Sequence, residues 1–343
     1  MLKTTMLPHS RVATLKPIIV ILGPTAIGKT RVSIDVAKAL DTDILTADSR
    51  QVYRGMDIGT DKPTLPERQG VSHQLIDLAD PDQHFTTGDY RRHAITAIEK
   101  IHNNGQIPLI AGGTGLYIQA LLHGLWPGPP ANWDLRKALD TQAQEKGSAY
   151  VHQQLSRVDP VLAKRVHPND YVKIQRGLEV YQALGMPLSQ VHQRHNFQET
   201  PYHALVIGLN MKRELLYQRI ESRVELEIEK GLIQETQQLL DRGYHRTLSS
   251  MTSLGYRQMA GFLAGDYSYE EAVRLLKRDT RHFAKRQITW FRRETSTQWL
   301  HVEEQESKEH IAKRILHCVD PFLSELMKKS TQSSEPMVSF VNS

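Results

Sequence analysis

A β-branched run, PIIVIL (17–22), leads directly into GPTAIGKT (23–30) and then into RVSIDVAKAL (31–40). No other stretch constrains the fold as much. A short apolar run that ends at a glycine suits a strand buried on both faces, as in parallel sheets. Val32, Ile34, Val36, Ala37 and Leu40 then mark a helix leaving the loop. Between the two, Gly23, Gly28, Lys29 and Thr30 fill every fixed position of G-x-x-x-x-G-K-[ST]. In such a loop the backbone N–H groups turn inward and the next helix adds its positive end. The lysine brings a mobile charge, and the hydroxyl can ligate Mg²⁺. Gly23, Pro24, Thr25, Ala26, Ile27, Gly28, Lys29 and Thr30 are therefore the candidate diphosphate or nucleotide site, with Thr30 as metal ligand and Mg²⁺ as the expected ion. The alternative is a chance match in a glycine-rich turn, and the strand and helix on either side argue against it. The pattern reads diphosphate geometry and does not say what the diphosphate carries.

The chain continues in the same alternation. DILTADS (43–49), HQLIDLAD (73–80), IPLIAGG (107–113) and ALVIGLN (204–210) read as strands. The segment 88–104 and TGLYIQALLHGL read as helices. The expected fold class is α/β, a P-loop NTPase-like (nucleotide-kinase-like) parallel sheet flanked by helices. WPGPP (126–130) interrupts the pattern, and the polar stretch after it shows only helical periodicity. The expected domains are a core over 17–125 and 196–300, a mainly helical insertion over 126–195, and terminal extensions over 1–16 and 301–343. After 210 the chain reads as helical almost to its end. The closing KKSTQSSEPMVSFVNS is polar and serine-rich and is expected to be disordered.

Composition excludes several classes. No apolar run approaches the ~18 residues of a membrane span. The opening MLKTTMLPHSRVATLKP lacks the apolar core of a secretory signal and reads as a frayed terminus. The single cysteine, Cys318, excludes an intrachain disulfide and any zinc site built on several cysteines, and suits a reduced, cytoplasmic setting. The 16 histidines form no HExxH pattern. A net charge of +5 is mild, but its distribution is uneven. Within 274–293 stand Arg274, Lys277, Arg278, Arg281, Lys285, Arg286, Arg292 and Arg293 against one acid, Asp279. Arg274, Arg278, Arg281, Lys285 and Arg292 share a helical face. A solvated charged face is the common reason for such a run; the near absence of acid favours phosphate contact.

Asp48, in LTADSRQVYRGMDIGTDKP (45–63), falls at the carboxyl end of the second strand, where ligands of such sheets bind. Position alone leaves it a general base, a helix cap or an indirect partner of the metal. The run ADSRQVYRGMDIGTDKP, between GPTAIGKT and IPLIAGGTGLYIQALLHGL, closely resembles the tRNA dimethylallyltransferases. The likeness continues through DYVKIQRGLEVYQALGMPLS (170–189), RELLYQRIESRVELEIEKGLIQE (213–235), SLGYRQMAGFLAGDYSYEEAV (253–273) and TRHFAKRQITWFRR (280–293), so it covers roughly 17–293 in the expected order. Ile27 departs from the serine that many members carry, at a variable position of the loop. With one cysteine, a zinc-finger extension of the kind eukaryotic members carry is not expected.

The resemblance implies transfer of a dimethylallyl group from dimethylallyl diphosphate to N6 of the adenosine 3′ of the anticodon, in tRNAs reading codons that begin with U. The loop then holds a leaving diphosphate, although motif reading alone would make it ATP-binding. Asp48 matches the general base and Thr114 the reaction channel. Arg223 is a further diphosphate candidate, with a solvated helix-surface ion pair as the alternative. Asp48, Ser49, Arg50 and Gln51 are placed to meet the flipped nucleotide. Arg136, Gln175 and Arg176 match positions that touch the anticodon stem-loop, and Lys285, Arg286, Gln287 and Arg292 extend the RNA footing. Trp290 and Phe291 either stack on bases or belong to the core. No obligate protein partner is expected. The competing readings are a transferase acting on free AMP, ADP or ATP, a phosphate-loop NTPase or kinase, and a nonenzymatic RNA-binding protein. The first would not need the polar insertion or the basic stripe. The second gives GMDIGTDKP and KRQITWFRR no role, and the third leaves loop and acid idle.

Overall fold

The computed structural model describes residues 15–126, 128–195 and 200–332. The expectation of a frayed start falls on 1–14, and most of the expected disordered tail on 333–343; both lie outside the described residues. The described residues form two compact units, one from 15–122 with 201–332 and the other from those within 123–200.

In the first unit, β1 (Lys16–Leu22) leads through the phosphate loop to α1 (Lys29–Leu40), and β2 (Ile44–Ala47) follows. Next come α2 (Leu65–Arg68), β3 (His73–Gln74), α3 (Thr87–Asn103), β4 (Leu109–Gly112) and α4 (Gly115–Leu122). The second unit holds α5 (Trp133–Lys146), α6 (Ser148–Val158), α7 (Pro160–Ala163), α8 (Tyr171–Leu184) and α9 (Leu188–His195). The chain returns to the first with β5 (Tyr202–Asn210), α10 (Arg213–Glu229), α11 (Leu232–Asp241), α12 (Tyr256–Leu263), α13 (Tyr269–Phe291), β6 (Gln298–His301) and α14 (Lys308–Gln332).

The sheet has six strands in the order β3-β2-β4-β1-β5-β6, and every pairing is parallel. Alternation along β1 divides the core: Ile18, Val20 and Leu22 enter one apolar layer, Ile19 and Ile21 the other. The first layer is closed by α3, α4 and α11 to α13, the second by α1 and α14. A strand buried on both faces is apolar throughout, which is why β1 and β5 are legible in the sequence.

Three expectations change. The strand read over 73–80 stops after Gln74, because Leu75 and Asp77 take φ of 65° and 55° and leave extended geometry. Its remainder bonds to the 51–52 backbone instead: the Asp77 N–H donates to the Gln51 carbonyl, and those of Leu78 and Ala79 to Val52. The short edge strand β6, QWLH, lies in the region read as helical; too few residues carry any alternation to announce it. Residues 301–343 read as an extension, yet α14 buries Ile311, Ala312, Ile315, Val319 and Phe322 against the α1 side of the core. That spacing is a helical apolar stripe, and the helix continues through 328–332, where disorder is expected from composition.

The second unit is helical, with Leu139, Val151, Leu155, Ala163, Val166 and Ile174 as its core and a smaller cluster of Val180, Leu188 and Val191. Among the described residues, no helix is long and apolar enough to cross a membrane.

Candidate active site

The loops that leave β2, β4 and β1, three neighbours in the sheet, carry Asp48, Gly113-Thr114 and 23–28 respectively. In the phosphate loop, Gly28 takes φ 100° at the start of α1 and Ala26 takes φ 63°. Left-handed residues next to right-handed ones turn consecutive N–H groups inward to make an anion cradle. Ile27 is fully buried in the α1-side core, so its side chain serves packing and leaves the cradle unchanged. Lys29 Nζ donates to the Pro24 carbonyl at 2.8 Å. Burial brings its ammonium down to about 8, against the pull of Asp48 and with a push from Arg223. A desolvated cation that is easily discharged strongly favours an anion beside it.

Thr25 is held twice. Its N–H donates to Gln287 Oε1 at 2.8 Å, and its Oγ1 accepts from Arg223 Nη1 at 2.8 Å. Arg223 also bonds Glu227 through Nε at 2.7 Å and lies 3.4 Å from Asp61. It is thus no solvated surface arginine. Its own burial opposes the charge, but Glu227 and Asp61 more than offset this and raise its affinity for the proton further. The partner Glu227 is pushed up by burial despite Arg223.

Asp48 is half-buried, and its Oδ1 accepts the Arg50 N–H at 2.8 Å, which fixes the carboxylate in a tight turn. Thr114 Oγ1 accepts the Ser49 N–H at 2.9 Å, while the Gly113 and Thr114 N–H groups donate to the Ala47 carbonyl. The two loops are therefore stitched together beside the carboxylate. Tyr90 and Tyr117 stack with centroids 3.9 Å apart, and burial together with the charge of Asp48 keeps both phenols protonated well above their ordinary range.

Sequence reasoning placed several RNA contacts that the structure engages internally. Gln51 is buried, and its Nε2 donates to the Thr60 carbonyl at 3.0 Å. Gln287 is buried too, with both ends of its amide used. The guanidinium of Arg50 donates to the Ser249 carbonyl. In the helical unit, Arg136 and Arg176 both bond Glu179, whose side chain is 1% exposed, and Gln175 donates to Asp140. Burial alone would raise the Glu179 carboxyl; the bonds from Arg136, Arg176 and the Asn132 N–H outweigh it and hold it below the usual range.

The basic stripe divides in two. Arg274 pairs with Glu271, Lys277 with Glu225, Arg278 with Asp279 and Arg281 with Glu221. Two of these acids, Glu221 and Glu225, reach the stripe from α10. Lys285, Arg286 and Arg292 are exposed and make no ion pair among the described residues, though Arg286 lies 5.9 Å over the Phe283 ring. Phe291 is core, while Trp290 is 38% exposed with its indole against Gly115.

Sequence reasoning assigned no residue to holding the 57–62 loop. Glu235 accepts the N–H groups of Asp57, Ile58 and Gly59 and the Tyr256 hydroxyl. Lys62, 3% exposed, pairs with Asp57 and Asp77 and donates to the Tyr53 carbonyl. GMDIGTDKP announces a structured loop, but only tertiary contact identifies its partners.

Thr30 stands in the first turn of α1, directly after Gly28 and Lys29, and is half-buried. The described residues hold no group of three or more His, Cys, Asp or Glu able to bind a metal. A single hydroxyl beside the loop would suit a magnesium ion only if a bound diphosphate and water supplied its remaining ligands.

A parallel sheet with a phosphate loop after its first strand and a carboxylate loop two strands across defines an α/β protein of the P-loop NTPase-like class. Within that class the chain belongs to the IPP transferase family, whose model matches residues 51–294. It is 48% identical over 287 residues to a tRNA dimethylallyltransferase 2 of Geotalea uraniireducens, covering 84% of this chain and 93% of the relative. A solved tRNA isopentenylpyrophosphate transferase of Bacillus halodurans is similar at TM-score 0.66 and 38% identity, over 92% of this chain and 100% of that one. A eukaryotic dimethylallyltransferase solved acting on tRNA is similar at TM-score 0.76 and 26% identity, over 90% of this chain and 80% of that one.

Proposed function

We propose that this chain transfers a dimethylallyl group from dimethylallyl diphosphate to N6 of the adenosine immediately 3′ of the anticodon, in tRNAs reading codons that begin with U. The products are N6-dimethylallyladenosine and diphosphate. The observation that carries this reading is an anion cradle after β1 and a fixed carboxylate after β2, at the carboxyl end of one sheet and joined through the loop of the intervening β4. The cradle suits a leaving diphosphate and the carboxylate an acceptor that must lose a proton.

In the step itself, the adenine N6 lone pair forms the new bond to C1 of the dimethylallyl group. The bond from C1 to the diphosphate oxygen breaks, and its electrons leave with the diphosphate. The N6 proton passes to Asp48, whose contribution lies in the ~10²–10⁴-fold range of a general base. Lys29, Arg223 and the loop N–H groups stabilise the charge that gathers on the leaving oxygen. Mg²⁺ on Thr30, when bound, supplies further neutralisation of the diphosphate. Flipping the adenine from the anticodon loop costs a few kcal/mol. Lys285, Arg286 and Arg292 provide phosphate footing, and a tRNA substrate places the reaction in the cytoplasm.

The test is a product assay with Mg²⁺, dimethylallyl diphosphate and either unmodified tRNA or free adenine nucleotides, the digested nucleosides being read by mass spectrometry. Dimethylallyl on N6 of tRNA alone is expected. Product only on free nucleotide, or ATP hydrolysis with no prenyl transfer, overturns the reading.

A further inference from the structure

We propose that Gln287 is a positioning residue that sets the spacing between the diphosphate loop and the loop carrying Thr114, and so aligns donor with acceptor. Its Oε1 accepts the Thr25 N–H and its Nε2 donates to the Gly113 carbonyl, each at 2.8 Å, with the side chain only 7% exposed. These two backbone groups belong to loops after different strands, β1 and β4, and no other side chain among the described residues is hydrogen-bonded to both loops. A primary amide suits this position because it is uncharged and both donates and accepts. A carboxylate would oppose the Gly113 carbonyl, and an ammonium could not accept from Thr25.

The fit is close. A Cβ added at Gly113 would lie 2.4 Å from Gln287 Nε2, so that position must stay bare for the amide to reach its carbonyl. The Gly113 and Thr114 N–H groups in turn hold the Ala47 carbonyl, the last before Asp48, and Thr114 Oγ1 holds Ser49. The amide therefore spans from the first N–H after Pro24 to the wall beside the carboxylate. It stands on α13 next to exposed Lys285 and Arg286, three residues before Trp290 on Gly115. In a transfer between two bound substrates, misplacement by about 1 Å can cost about 10²-fold in rate.

The inference rests on the transfer reaction proposed above. It is tested in the full-length chain with Gln287→Met, which keeps the length and removes both bonds, with Gly113→Ala, which displaces the amide, and with the double variant. Wild type and variants are compared for kcat, for KM of dimethylallyl diphosphate and for tRNA affinity. The expected result is a fall in kcat of about 10- to 100-fold in each single variant, with both affinities within about threefold. The double variant should be no slower than the worse single one, because both act through one contact. Unchanged kcat, additive losses, or lost tRNA affinity at normal kcat overturns the proposal, the last by making Gln287 an RNA contact. Should Gln287→Met fail to fold, Gly113→Ala decides by kcat and tRNA affinity: a fall in kcat at normal affinity supports the proposal, and unchanged kcat overturns it. A wild-type chain that transfers no dimethylallyl group defeats the reaction assignment itself, and this proposal with it.

Discussion

Arg223 reaches across from α10 to hold the Thr25 hydroxyl at 2.8 Å, while its other face is bound to the largely buried Glu227. The guanidinium thus ties the phosphate loop to a carboxylate that has no other cation as close among the described residues. Arg223→Met should weaken inorganic diphosphate binding by about 10- to 100-fold, the range of one lost charge-assisted bond of roughly 1.5–3 kcal/mol. It should also lower stability by about 3–5 kcal/mol, because Glu227 is left buried and unpaired. Adding Glu227→Leu should restore much of the stability and none of the binding. Calorimetry and urea melts of the three proteins separate the two effects.

Asp48→Asn should lower kcat by about 10²–10⁴-fold with tRNA affinity nearly unchanged. Its Oδ1 can still accept the Arg50 N–H, so the turn survives and only the proton acceptor is lost. Single-turnover transfer measured beside filter binding checks this; equal rates in mutant and wild type would remove Asp48 from proton transfer.

The stripe on α13 should act through its C-terminal end. Reversing Lys285 and Arg292 is expected to weaken tRNA binding and to flatten the plot of log affinity against log salt by about 0.7–0.9 for each phosphate no longer neutralised. Reversing Arg278 and Arg281 should alter that slope much less, since Asp279 and Glu221 already neutralise them. Equal slopes for the two double variants would show that the pairs open on RNA binding.

In the helical unit, Glu179→Gln should destabilise by about 3 kcal/mol at neutral pH, as a buried carboxylate leaves two arginines behind. The folded carboxyl titrates below its ordinary value near 4.5. Its stabilisation is therefore complete above that value and is lost as pH falls through the lower folded one. The gap in melting temperature between wild type and variant should narrow and then close as pH falls below 4.5 and through the lower folded value. A constant gap would mean that packing, not charge, sets the loss.

Much of this was legible because the residues concerned are local. GPTAIGKT specifies its turn by its own glycines, and β1 and β5 declare themselves by unbroken apolarity. Asp48 follows from being next after a strand end. The partners that stayed hidden share a different cause. Gln287 and Arg281 look like surface groups in one dimension, and their partners Thr25 and Glu221 lie 262 and 60 residues away in the chain. Gln51 is hidden in the same way by a loop that folds back on it. Glu179 could have been suspected, since it sits three residues after Arg176 on one helix face. The four residues of β6 carry too short a pattern to be read by period.

The packing of α14 on α1 sets an order of events during synthesis. The phosphate loop leaves the ribosome among the first structured elements, and the buried face of its backing helix runs from Ile311 to Phe322. At about 5–20 residues per second, the intervening chain takes roughly 15–60 s to make. Through that interval the face of α1 that packs on α14 has no permanent cover. A nascent chain therefore carries its anion cradle long before it can hold it rigid, and a stop codon shortly before α14 would release a protein with every candidate active-site residue and no lasting place to keep them.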